Sequence, residues 1–178
     1  MMGPGLRKVA LTTHVTCSVG WLGAVACFLA LAVAGLCSQD LQRVRAAYLA
    51  TELMTWSVIV PLSFASLLTG LVSSLGTTWG LFRHYWVVAK LVLTIVATML
   101  LLLHTRPIGW VAAATAETTL SGGDLRQVRI QLVADAGAAL LVLLVNTTLA
   151  IFKPRGMTRY GWRKQHEAPK ARQLDGDS

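Results

Sequence analysis

Lys90 and His104 lie within and at the end of one apolar run, and His14, Glu52, Asp135 and Asn146 lie inside three others. These residue types could do chemistry. An imidazole nitrogen is a good axial ligand for haem iron, and an amine stripped of its proton offers a lone pair, as ligand or as base. Each also has a plainer reading. Lys90 can lay its stem along the helix and reach the headgroups past Trp86, His14 can be a polar contact between helices, and His104, just before Arg106-Pro107, can mark a helix end. A charged group in lipid costs about 2.5–3.5 kcal/mol on insertion scales, so intramembrane Lys90 is a functional suspect by default.

The elements that must position these residues follow from composition. Of 178 residues, 54% are hydrophobic and only 13% charged. A soluble core of this size could not hide that much apolar surface, so lipid is the expected solvent. The net charge of +8 does not point to nucleic acid, because the basic residues flank apolar runs rather than interleaving with aromatics. No phosphate-binding loop, hydrolase elbow or zinc-binding helix motif occurs in the chain.

Four runs are long enough to span a hydrocarbon core of about 30 Å, at residues 9–36, 47–72, 86–103 and 132–152. They lack the alternation of barrel strands. The expected fold is therefore all-α, a polytopic membrane protein built as a four-transmembrane-helix bundle. Residues 1–152 form the membrane domain and 153–178 a basic, disordered tail. The first run is about twice a signal peptide's apolar core and is retained as a helix. Cys17, Cys27 and Cys37 all fall in it, some 15 Å apart, so no disulfide joins them within one copy. They read as small packing residues.

Polar loops are expected at 38–45, 73–83 and, longest, 105–131, where Ser121-Gly122-Gly123-Asp124 reads as a turn and N-cap. Pro61 should kink the second helix, with Ser57 placed to satisfy the freed backbone. Arg7, Lys8, Arg83 and the basic tail share one side, against Arg43, Arg45, Arg106, Arg126 and Arg129 on the other. The positive-inside rule then puts both termini in the cytoplasm of a bacterial cell membrane, the tail near anionic lipid headgroups.

On that topology two polar layers emerge. The inner holds His14 and Lys90, each about 9 Å or less past the cytoplasmic edge. The outer holds Glu52, His104 and Asp135. Lys90, Thr94, Ala97, Leu101 and His104 fall on one stripe of the third helix, and His14 shares a face with Cys17, Ser18 and Trp21. A bis-histidine haem bridging His14 and His104 is disfavoured, because the two lie in opposite leaflets.

His14, then Trp21 and Gly23, resembles the first helix of HemJ-type protoporphyrinogen oxidases, and Trp86 followed by Lys90-Leu91 resembles the Trp-x-x-x-Lys-Leu of a later helix in that family. The resemblance implies a b-type haem held near His14, Lys90, Trp21 and Trp86, with His14 as iron ligand and Lys90 essential. His104 stands one helical turn later than that family's histidine, and the proline-arginine-rich end of its first helix is absent. The chain is more broadly similar to small four-helix bacterial membrane proteins related to HemJ and to the copper-resistance protein CopD. The resemblance covers most of residues 10–155 through short motifs.

Three functions follow as expectations: a haem-binding redox protein using His14 and Lys90, a non-enzymatic membrane scaffold, or a CopD-like permease for metal or small solutes using His14, Cys17, His104, Glu52 and Asp135. Whether the chain is an enzyme is left open. The redox reading implies an electron partner, and a homo-oligomer is compatible with all three.

Overall fold

A computed structural model describes residues 3–75, 85–116 and 123–152. The connection at 76–84, the segment 117–122 and the tail at 153–178 lie outside the described residues. All described elements are helical: α1 (Pro4–Cys37), α2 (Leu41–Met54), a π-helical turn (Thr55–Ile59), α3 (Val60–Leu75), α4 (Tyr85–Ala116) and α5 (Gly123–Phe152). α2, the π-turn and α3 run on as one rod, so the chain has four helices long and apolar enough to cross a membrane. The expected four-helix architecture is what forms.

The burial pattern fits lipid as the solvent. Only 11% of the apolar window in Tyr85–Thr105, and 28% of that in Gly5–Cys37, is buried inside the bundle. Large apolar side chains such as Leu103, Leu141, Ile151 and Phe152 point outward. In water such a surface would drive association, whereas against acyl chains it is at home. The interior seam is built from Trp21, Val25, Phe28 and Ala32 on α1, Val44 and Tyr48 on α2, Ile108 and Val111 on α4, and Leu132, Ala136 and Leu143 on α5.

Three helix ends differ from the sequence reading, each for an identifiable reason. α1 continues to Cys37 and α2 already starts at Leu41, so the expected loop at 38–45 shrinks to a tight corner. Asp40 caps α2, its carboxylate accepting from the Gln42 amide at 3.0 Å. Burial of Val44, Ala47, Tyr48 and Thr51 at helical spacing then carries Arg43 and Arg45 into the helix. α4 does not stop at His104 but runs through Arg106-Pro107 to Ala116. Ile108 and Val111 are 4% and 0% exposed, and their packing holds the helix past the proline. α5 begins at Gly123, at the expected turn and N-cap, so the helix starts ahead of the apolar run at 132. The expected loop at 105–131 is thus mostly helix, and Ser73 to Leu75 belongs to α3 rather than to the next loop.

The disturbance expected around Pro61 appears as the π-turn just before it, where the Val60 amide donates to the Thr55 carbonyl. Proline removes a donor and crowds the preceding turn, and a π-turn absorbs both. Ser57 does not serve as expected: it is exposed and none of the structure's side-chain hydrogen bonds involves it.

Candidate functional site

Hydroxyl groups line the inside of the second rod. Thr51, Thr55, Ser63 and Ser66 are each between 0% and 4% exposed. Most of these hydroxyls bond back to carbonyls of their own helix, as Thr55 does to Thr51 at 2.7 Å and Ser63 to Val60 at 2.8 Å. Serine and threonine can be buried in lipid on those terms. The seam leads to His14.

The His14 Nδ1 lies 3.1 Å from the Ser66 carbonyl oxygen and 3.2 Å from the Thr69 hydroxyl. A carbonyl can only accept, so Nδ1 carries the proton. The Thr69 hydroxyl donates to the Ala65 carbonyl at 2.6 Å, which leaves it a lone pair to share that proton. Nε2 of the neutral ring then keeps its lone pair. One turn on, Ser18 bonds Ser66 at 2.8 Å and fixes α1 against α3 at this level. Gly70 lies against the ring: a Cβ there would lie 2.9 Å from His14 Cε1, so the imidazole would have to shift to admit one.

Lys90 is half-buried on α4, and no hydrogen bond joins it to His14. One turn beyond it, the Thr94 hydroxyl donates to the Lys90 carbonyl at 2.8 Å and accepts from the Asn146 amide of α5 at 2.9 Å. Asn146 Oδ1 is buried and unpartnered. Trp21, two turns along α1 from His14, is 3% exposed, and its indole N–H is likewise unpartnered. Trp86 is half-buried at the start of α4. Three helices other than α1 therefore contribute to the His14 level.

Towards the other end of the bundle, His104 Nε2 lies 3.0 Å from Asp135 Oδ2, and Nδ1 lies 2.7 Å from the Leu100 carbonyl. Nδ1 must donate to that carbonyl. Two lone pairs facing each other at 3.0 Å would repel, so a second proton sits on Nε2 or on the carboxyl. The Nε2–H direction is not well aligned on Oδ2, which makes this an ion-pair distance rather than a formed hydrogen bond. Glu52, expected at the same level, joins neither group; its carboxylate lies over Gly109, where a Cβ would come within 3.4 Å.

The structure thus brings His104 and Asp135 of the expected outer layer into contact and leaves Glu52 apart from them. Ser66, Thr69 and Gly70 were missed by the sequence reading. Their signal was the run of hydroxyls and glycine at helical spacing in α3, which resembles ordinary helix packing in a membrane protein. Cys17, Cys27 and Cys37 are free thiols, the last two exposed on the lipid-facing side of α1. Among the described residues no three of His, Cys, Asp and Glu converge as a metal-ligand set. No protein-family model, curated protein or solved structure matches the chain.

Proposed function

We propose that this protein is a membrane-embedded redox protein that binds a b-type haem through His14, with Lys90 beside it. The observation that supports this reading most is the orientation of the His14 ring. A backbone carbonyl and a hydroxyl hold its Nδ1 proton, which is the arrangement that fixes the tautomer of metal-binding histidines and makes the other nitrogen a better ligand. The residues present fit such a group. His14 would hold the group through its Nε2, and the orphaned Trp21 N–H is a buried donor two turns along the same face. Haem would supply one-electron chemistry there. Gly70, with no side chain, leaves room for the imidazole, which Ser66 and Thr69 hold in place.

The proposed topology puts both termini on the cytoplasmic side of a bacterial membrane, with the His14 level in the inner leaflet. The experiment is an absorption spectrum of the full chain purified in detergent from haem-replete cells. A Soret band that is lost in His14→Ala and perturbed in Lys90→Met is expected; a colourless wild-type preparation overturns the reading. A second reading, a carrier of small solutes in the CopD manner, is favoured only by the 3.0 Å approach of His104 Nε2 to Asp135 Oδ2. It expects proton-coupled uptake into vesicles that stops in Asp135→Asn.

A further inference from the structure

We propose that the end of the bundle opposite the His14 level holds an anion site, formed by Arg129 of α5 and Tyr48 of α2, for a phosphodiester or carboxylate group. The site rests on hydrogen-bond donors that no protein group satisfies. Arg129 Nε and Nη2 are both buried and both unpartnered, and so is the Tyr48 hydroxyl. Nε and Nη2 share one edge of the guanidinium, the edge that grips two oxygens of a carboxylate or phosphate at once.

Tyr48 is 1% exposed and cannot swing towards water, while Arg129 is half-buried with Nε and Nη2 sealed. On one side a Cβ at Gly35 would lie only 2.8 Å from Tyr48 Cε2, so α1 presses directly on the ring. On the other side the Arg129 guanidinium carbon stands 5.2 Å from the ring centroid, a cation–π distance. A guanidinium keeps its charge in any protein, and buried donors left without an acceptor are costly in a bundle.

The acids that could neutralise it are engaged or directed elsewhere among the described residues. Asp135 faces His104, Asp40 pairs with Arg43, and Glu52 lies over Gly109. The missing partner must bring an acceptor and a negative charge, which excludes cations and neutral apolar ligands. One guanidinium suits a single negative charge. Arg129 stands in the first turn of the apolar stretch of α5 that begins at Arg126. That chemistry can come from a phospholipid headgroup or from a dissolved anion.

Native mass spectrometry of the full chain in detergent, with phosphatidylglycerol added, tests the first source, and titration calorimetry with inorganic phosphate tests the second. We expect one bound lipid or one bound phosphate per chain, at least tenfold weaker in Arg129→Gln and severalfold weaker in Tyr48→Phe, which keeps the ring and removes only the hydroxyl. Lipid binding that phosphate does not displace assigns the site to the headgroup; phosphate binding alone assigns it to a dissolved anion. Should Arg129→Gln fail to fold, Tyr48→Phe and Arg129→Lys carry the test. Unchanged binding of both probes in the folded variants, or no binding of either probe to the wild type, overturns the proposal.

Discussion

The two ends of the bundle handle polarity in opposite ways. Around His14 the chain supplies hydroxyls, carbonyls and one amine, and no carboxylate; every acidic residue of the spanning helices lies nearer the other end. There the groups are charge-bearing and paired, His104 with Asp135 and Arg129 with the face of Tyr48. A carbonyl-bonded neutral imidazole can be left in lipid without a counterion, and it keeps a lone pair for a ligand. A carboxyl or guanidinium cannot be left alone, so it must find a proton, a partner or a ligand. The difference teaches where to look: a nitrogen ligand at one end, a charge partner at the other.

That contrast can be broken by mutation. The largest effect is expected from Asp135→Ala, which removes the partner of His104. Unfolding in detergent should show a loss of stability, because a polar imidazole is left on a spanning helix without its partner. The double change His104→Leu with Asp135→Leu should recover most of it. If the single and double variants are equally unstable, the two groups are not a pair.

Next comes Gly35→Ala. The new methyl would meet the sealed Tyr48 ring, and overpacking of this kind costs about 1–3 kcal/mol. Gly70→Ala meets the more exposed edge of His14 and should cost less stability while displacing the imidazole. If Gly70→Ala proves the more damaging, the ranking of the two ends is reversed. The smallest effect belongs to Asn146→Leu. It loses one hydrogen bond to Thr94 but also removes an orphaned acceptor, so a change of about 0.6 kcal/mol or less is expected, the average for such bonds between membrane helices. Nitrogen-15 spectra sharpen the comparison without mutation: His14 should report a neutral ring protonated at Nδ1.

Much of this was legible in the sequence, and the rest failed for physical reasons. Four apolar runs and the count of helical turns placed His14 level with Lys90, and His104 level with Asp135. The ends of helices were misread wherever polar residues continue a helix whose other face is buried. Arg43 and Arg45 look like loop until Val44, Ala47, Tyr48 and Thr51 are seen to bury together. Pro107 looks like a stop until Ile108 and Val111 are seen to pack. The site's partners were illegible for a different reason. A serine carbonyl is invisible in sequence, so nothing announced that Ser66 would hold the His14 proton. Arg129 and Tyr48 lie far apart in the chain; the first reads as a topology signal only, and nothing in the sequence singles out the second.

The π-turn at Thr55–Ile59 has a rotational consequence. In an unbroken α-helix at about 100° per residue, Ser63 would point about 120° away from Thr51. One inserted residue subtracts about one such step, bringing Ser63 to within about 20° of Thr51 and Ser66 close behind. The irregularity therefore acts as a phase shifter, lining up two stretches of hydroxyl that a straight rod would hold out of step. Deleting Ser57 alone should remove the inserted residue and leave an unbroken α-helix in the same phase, with Ser66 still facing the imidazole it now steadies.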